Sequence, residues 1–452
     1  MVRSGIIFYV VLAVACSANI AQADGPYFSE GIKIGEVTPT SAIVWTRLTT
    51  VAQGGIGELE DAAPGMPGDV RLTYQSAEGS VVQTDWMPVD PDRDHTVQIH
   101  LKYLEPATDY ALKIESRDVD GNAGATFEGK LKTAPSAEST DKLQLAVVTC
   151  QSLRSNDAGN DGFHTYRVLE SIRPDLFVNT GDIVYYDKIP FSRNAAQARA
   201  KWSCMYSMPS IRAFHSIGAS YFIKDDHDTL KNDCWEGQTY GDLTWEEGLA
   251  IFREQVPMGE KTYRTYRWGK DLQIWLTENR DFRSPNTMKD GPEKTIWGAK
   301  QREWLIKSMK ASDATFKLLI SPGAVVGPDK RGKNDNHANA GFTYEGTIAR
   351  KLIADLPGAF VICGDRHWQY HSVDPKTGAN EFGCGPISDL HTYGGNPGYQ
   401  PAMHKYFDKG GGFLLVTVER KDEKPQITFQ HIAPVVNPDG ELKVRNSITF
   451  GK

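Results

Sequence analysis

Beyond residue 23 the chain has no apolar run long enough to cross a bilayer, which takes about twenty residues, so no transmembrane segment is expected in the mature protein. Positive charge is not in excess either: 50 lysines and arginines stand against 57 acids in 452 residues, a net charge of -7. That balance leaves no electrostatic footprint for nucleic acid or for an anionic membrane surface. Any phosphate must be attracted locally, by metal ions or a few arginines. Repeats at solenoid spacing and low-complexity tails are both lacking, which excludes array architectures. The 40% hydrophobic content is that of an ordinary soluble globular protein, and the length suits two or three domains.

The one strongly apolar stretch lies at the start. Arg3 supplies a positive n-region, Ile6 to Ala15 a short apolar core, and Ala21-Gln22-Ala23 a small-residue cleavage pattern. Residues 1–23 are therefore expected to be a signal peptide cleaved after Ala23, with a periplasmic or secreted mature chain. A lipidated Cys16 ranks second, because Ala13 stands where a leucine is expected. Removal of this segment leaves Cys150, Cys204, Cys234, Cys363 and Cys384. An odd number in an oxidising compartment asks for a separate role for one of them, and Cys150 is the candidate. Cys204 with Cys234, and Cys363 with Cys384, are expected as bridges, although spacing alone leaves the connectivity open.

Two blocks follow. From Tyr27 to Thr133 short alternating runs such as IKIGEVTPTSAIVWTRL, VRLTYQS and YALKIESRD are split by Gly, Pro, Asp and Asn, an all-β pattern with Trp45 as a core anchor. Residues 24–135 are read as a β-sandwich resembling a fibronectin type III or immunoglobulin-like domain. After a polar linker at Ala134 to Thr140, residues 141–452 alternate strands with helical stretches around Phe163 to Ile172, Asn194 to Ile217, Trp245 to Gln255, Ile296 to Met309 and Glu345 to Ala354, the mark of an α/β layered domain. GFLLVTVER and QITFQHIAP are expected to be antiparallel strands completing a second sheet.

Five apolar runs of this second block each stop at a residue able to hold a metal ion or phosphate. They are LQLAVVTC ending at Cys150, DLFVNTGD at Asp182, SYFIKDDHD with Asp226 and His227, LQIWLTENR with Arg280, and AFVICGDRH with Asp365 and His367. Such runs read as buried strands of a largely parallel sheet, and ligands of such sheets sit beyond the carboxyl ends. One crevice built from five strand ends is the expectation. Asp182, after the tight Gly181 turn, can bridge two ions, and Tyr185 lies one turn on. Phenolate and carboxylates favour hard cations and a Cys150 thiolate adds a soft donor, a mixture pointing to ferric iron. Asp226 can ligate a second ion, His227 can donate a proton to a leaving group, and Asp365 and His367 can address different ions.

NTGDIVYYD, KDDHD, ENRDFR and CGDRHW, in this order after VTCQS, resemble the alkaline phosphatase D (PhoD-type) family of calcineurin-like metallophosphatases. The resemblance implies a four-layer sandwich of two sheets flanked by helices, Fe3+ accompanied by Ca2+, and hydrolysis of phosphate monoesters or diesters by metal-activated water. It makes Cys150 and Tyr185 iron ligands, Asp182 the bridge, Asp226, Asp365 and His367 further metal ligands, His227 the catalytic histidine and Arg280 a phosphate contact. Glu278-Asn279 departs from the family's Asp-Thr, Lys224 stands where tryptophan is common, and NDNHANAGF from Asn334 replaces a tryptophan-containing segment.

Plainer readings apply elsewhere. His100, His215 and His404 are taken as solvated, Tyr186 as packing beside Tyr185, and Arg283 as either a surface partner of Asp281 or a phosphate contact. The His337–Asn339 stretch is read as a pocket-lining or an inert surface loop. An adhesive surface protein with a structural metal is the alternative class; a sulfatase or serine-type phosphatase is disfavoured because no hydroxyl or cysteine has the nucleophile context those need.

Overall fold

The computed structural model describes residues 25–438 and 440–451; the expected signal peptide and Cys16 lie outside them. Two large sheets organise the chain. The first has nine strands in the spatial order Leu442–Gly451, Lys424–Val436, Phe413–Lys421, Leu143–Val148, Leu176–Asn179, Ala219–Phe222, Ile32–Gly35, Ser41–Arg47 and Thr96–Lys102. The second has seven: Arg264–Trp268, Leu272–Leu276, Phe316–Ser321, Ala359–Cys363, Asn380–Cys384, Gln369–Val373 and His404–Asp408. Parallel pairing joins the consecutive strands that begin at Leu143, Leu176 and Ala219, and likewise those at Leu272, Phe316, Ala359 and Asn380.

The near-continuous apolar runs follow from burial on both faces. Along Leu143–Val148, Leu145 and Val147 enter a core shared with Ile274, Leu276, Leu318, Ile320 and Ile362 of the facing sheet. Ala146 and Val148 point the other way, with Tyr166, Trp202, Phe214 and Phe252 of the helices His164–Ile172, Ala195–Tyr206, Pro209–His215 and Trp245–Gln255. Trp275, Leu319 and Val361 pack outward on Leu305, Met309 and Leu352 of helices Gly298–Ala311 and Thr343–Asp355. The layers thus run helix, sheet, sheet, helix.

Three expectations need correction. The five ligand-bearing strands are divided between the sheets, three on the first and two on the second. Phe413–Lys421 and Lys424–Val436 pair antiparallel beside Leu143–Val148, extending the first sheet and not the second. The helix expected over Asn194 to Ile217 breaks at Ser207-Met208, because Pro209 opens a new helix and holds Met208 extended at φ -64° and ψ 125°.

The amino-terminal block has strands, loops and short 3-10 turns and no α-helix among its described residues, and its strands part company. Asp69–Ser76, Val82–Gln83, Met87–Pro88, Asp109–Arg117 and Ala123–Lys132 form a separate five-stranded antiparallel sheet. Ile32–Gly35 instead pairs parallel with Ala219–Phe222, so the first sheet runs without a break from this block into the next. Trp45 is fully buried and its indole N–H donates to the Glu254 carbonyl at 2.7 Å, anchoring the helix Trp245–Gln255.

Candidate metal and catalytic site

The carboxyl ends of the parallel strands from both sheets meet at one place. The turn after Leu143–Val148 is stitched to the turn after Leu176–Asn179 by Cys150 N–H to the Gly181 carbonyl, 3.3 Å, and Gln151 N–H to that of Asp182, 2.9 Å. Across the sheets, Asp365 N–H donates to Thr149 Oγ1 at 3.2 Å. Close approach dictates the glycines: a Cβ on Gly181 would sit 2.6 Å from the Asp225 nitrogen, and one on Gly364 2.4 Å from Thr180 Oγ1. Cys150, Asp182 and Asp365 hold left-handed backbones, with φ of 56°, 56° and 59°. Non-glycine residues rarely adopt that conformation, and it concentrates where surrounding structure fixes a functional side chain.

Three sets of ligand atoms lie within 4.8 Å of one another: Cys150, Asp182 and His367; Asp182, Asp226 and His227; and Asp182, Asp225 and Asp365. Asp182 belongs to all three. The donor set fits cations on its own evidence. Asp182 Oδ1 and Asp225 Oδ2 are buried with no hydrogen-bond partner. Burial and then the charges of Asp226, Asp225 and Asp228 push the Asp182 carboxyl far above the carboxylate range. Burial and Asp182 raise the Cys150 thiol in the same way. Groups so crowded become anionic when a cation supplies the missing positive charge.

His367 Nδ1 lies 2.8 Å from the His391 carbonyl, an acceptor that keeps the proton on Nδ1 and leaves the Nε2 lone pair for a metal. Tyr185 donates its hydroxyl to Asp182 Oδ2 at 3.1 Å, whereas Tyr186 faces the helices and accepts from Trp202 Nε1 at 2.7 Å. His227 Nδ1 meets Asp187 Oδ1 at 2.5 Å, and its ring lies 4.3 Å from that of Tyr185. Burial opposes the His227 proton, but Asp226 and Asp187 more than offset this and raise its pKa above the usual histidine value.

Arg280 is brought to the site but is already engaged. Its Nε donates to Asp225 Oδ1 at 2.7 Å and its Nη1 to the Cys234 carbonyl at 3.1 Å, with Nη2 also on Asp225. Arg283 is buried, with its Nη2 on Asn286 and its guanidinium over the Phe342 ring; the surface pairing with Asp281 is not made. Asp281 instead joins Glu278 in gripping Lys224, whose Nζ is 2.7 Å from each. Lys224 and Glu278 therefore answer one another across 54 residues.

The two bridges are a correction. The five cysteines among the described residues are all free and buried. Cys204 Sγ faces the Glu58 carbonyl, Cys234 Sγ that of Asp226, Cys384 Sγ that of Cys363, and Cys363 Sγ the Tyr370 hydroxyl, so each thiol has its own polar neighbour. His215 is also not solvated: it is fully buried among Tyr166, Phe177, Tyr206, Phe214 and Phe222. The stretch around His337 is no inert loop, since His337 is buried with Nε2 3.0 Å from Glu345 Oε2.

Residues missed in the sequence are Asp187, Asp225, Asp228 and His391. Asp228 accepts from the amides of Asp225, 2.7 Å, and Ile183, 3.0 Å, locking two ligand loops together. His391 Nδ1 lies 3.0 Å from the Cys150 carbonyl, with its ring 5.1 Å from Tyr185. Asp187 closes the quoted motif NTGDIVYYD and Asp225 and Asp228 flank the quoted ligands, so proximity was a signal; a lone histidine in a loop gave none.

This fold, with the Asp182 carboxylate shared among three ligand sets at the meeting of two sheets, is that of a metal-dependent phosphoesterase. The chain belongs to the PhoD-like phosphatase family, whose model matches residues 145–410, while that of the PhoD-like phosphatase N-terminal domain matches residues 14–135. It is thereby a phosphatase, a hydrolase. A relative, alkaline phosphatase D of Bacillus subtilis (strain 168), is 21% identical over 505 residues, covering 97% of this chain and 83% of its own. Among solved structures, one described as the structure of PhoD superposes with a TM-score of 0.75 at 18% identity over 96% of this chain and 91% of that one. The purple acid phosphatase PPD1 from yellow lupin (Lupinus luteus) seeds gives 0.65 at 13% identity over 92% and 73%.

Proposed function

We propose that the mature chain is an exported enzyme that hydrolyses phosphate monoesters, diesters or both, using ferric iron with calcium. The observation that carries this reading is the place of Asp182 in all three ligand sets. Cys150, Asp182, Tyr185 and His367 would hold the iron, and Asp182, Asp225, Asp226 and Asp365 the harder second cation. When bound, the ions supply Lewis-acid charge for the phosphoryl oxygens and make water acidic enough to attack.

The chain's own groups do the rest. His227, fixed through Nδ1 by Asp187, keeps Nε2 for delivering a proton to the leaving oxygen. Arg280 acts mainly as a positioning residue, holding Asp225 beside Asp226. Asp228 and Thr149 keep the ligand turns in register.

Hydrolysis of nitrophenyl phosphate and bis(nitrophenyl) phosphate by the protein as purified, after chelation, and after return of ferric iron and calcium tests the reading. Loss on chelation and recovery only with both ions is expected. Full activity in thoroughly chelated protein, or recovery with zinc alone, would overturn the proposed metal pair. Amino-terminal sequencing of exported protein should begin at Asp24; an intact amino terminus on intracellular protein would reject export.

A further inference from the structure

Beside the metal site, two cations lack an anion. Arg366 Nη1 pairs with Asp329 and its Nη2 with Asp365, so the charge of the arginine next to the ligands is already countered by two carboxylates. Asp329 is equally saturated, since its other oxygen accepts from Asn336 Nδ2 at 2.8 Å. The next residue, Lys330, has no ion pair among the described residues. Its Nζ lies 4.4 Å from the centroid of the Tyr393 ring, and that ring stands 4.0 Å from the ring of the proposed ligand His367. Arg331 follows, exposed and likewise without an ion pair among the described residues, 5.8 Å from the ring of Tyr399.

Lys330, Arg331 and Tyr399 line a cavity of about 520 Å³ with the paired Asp329 and with Gly394 and Gly395. Its glycine floor has a reason: a Cβ on Gly394 would come within 2.5 Å of Lys330 Cε and displace the lysine stem. A half-buried ammonium held on an aromatic ring, with every nearby carboxylate already paired, is poised for an external anion. Tyr393 and Tyr399 add flat surfaces beside it.

We propose that this cavity is a subsite for a second phosphate on the substrate, with Lys330 and Arg331 as specificity-determining residues. The inference rests on the phosphoesterase reading of the adjoining metal site, and it narrows the substrate class to esters bearing a further phosphate near the scissile one. Lys330 touches the non-reacting phosphate and takes no part in bond cleavage.

The test uses the metal-loaded full chain with adenosine 5'-monophosphate and adenosine 3',5'-bisphosphate, which differ by one phosphate. Each is measured as a competitor of nitrophenyl ester hydrolysis and, separately, by calorimetric titration, which needs no turnover. The bisphosphate should bind about tenfold more tightly or better, the scale of one charge-assisted contact. In Lys330→Ala/Arg331→Ala that preference should fall to within about twofold, while the KM and kcat for the nitrophenyl ester stay near those of the wild type. Lys330→Arg should retain the preference. Equal affinities in the wild type, or a preference unchanged in the double variant, would overturn the subsite. Absence of ester hydrolysis alone would count against the catalytic reading, and calorimetry would still decide the subsite.

Discussion

Replacing Lys224 with methionine should destabilise the protein markedly and disturb the site without touching a ligand. The ammonium is fully buried, 2.7 Å from both Glu278 and Asp281, whose side chains are 1% and 5% exposed. Burial opposes its charge, but Glu278 and Asp281 more than compensate and hold it above the ordinary lysine value. Lys224→Met keeps the stem and removes the charge. Asp281 retains Arg253 at 3.6 Å and the Thr262 hydroxyl, whereas Glu278 keeps only neutral donors such as the Arg280 amide at 2.6 Å. Breaking a buried pair in this way costs about 3–5 kcal/mol. With unfolding entropy of about 2 cal/mol/K per residue, that is roughly 3–6 °C in Tm for a chain of this size. Adding Glu278→Gln removes the stranded charge and should return more than half of the loss. Calorimetric melting of wild type, single and double variants is the assay. A Lys224→Met protein within about 1 °C of the wild type, or a double variant worse than the single, would refute the reasoning.

Three further outcomes are expected. Asp187→Ala leaves every proposed ligand in place but frees the His227 ring, so turnover should drop roughly 10- to 100-fold with metal content unchanged; undiminished kcat would remove Asp187 from the mechanism. His215 is held well below the ordinary histidine pKa by burial and then by Lys33, and burial and then His371 lower His431 to about 3. Below about pH 6.5 the unfolded chain takes up these protons and the folded one does not, so each histidine removes up to about 1.4 kcal/mol of stability per pH unit as pH falls towards its folded pKa. His215→Phe should flatten the pH dependence of the denaturant midpoint between about pH 6.5 and 4.5; an unchanged slope would place His215 in water. Finally, if Cys150 and Tyr185 bind ferric iron, the concentrated protein should show a visible charge-transfer band that shifts in Tyr185→Phe, and a colourless iron-replete protein would reject that ligand set.

What could be read in advance was local. Strand ends at Cys150, Asp182, Asp226 and Asp365 were legible because doubly buried parallel strands give short apolar runs closed by Gly and Asp, and Trp245–Gln255 because its apolar positions repeat at helical spacing. What escaped depends on partners far along the chain. Asp187 finds its role only through His227, 40 residues away, and Lys224 only through Glu278. His215 looks like a surface residue at the end of a helix until aromatics from four other elements close around it. The sheet that Phe413–Lys421 joins is decided by its pairing with Leu143–Val148, to which alternation is blind. An oxidising compartment favours bridges between Cys204 and Cys234 and between Cys363 and Cys384, whereas in the fold each of these thiols turns to a different polar neighbour.

The most direct test is elemental analysis and turnover measured together on wild type, Asp182→Asn and His227→Ala, all purified without chelators. Asp182 is common to every ligand set, while His227 is also held by Asp187. The wild type should carry iron with a second, harder cation, Asp182→Asn should lose both ions and all hydrolysis, and His227→Ala should keep its iron while turnover falls roughly a hundredfold. An Asp182→Asn protein with its full complement of metal and near-normal turnover would contradict a phosphoesterase centre built around that carboxylate.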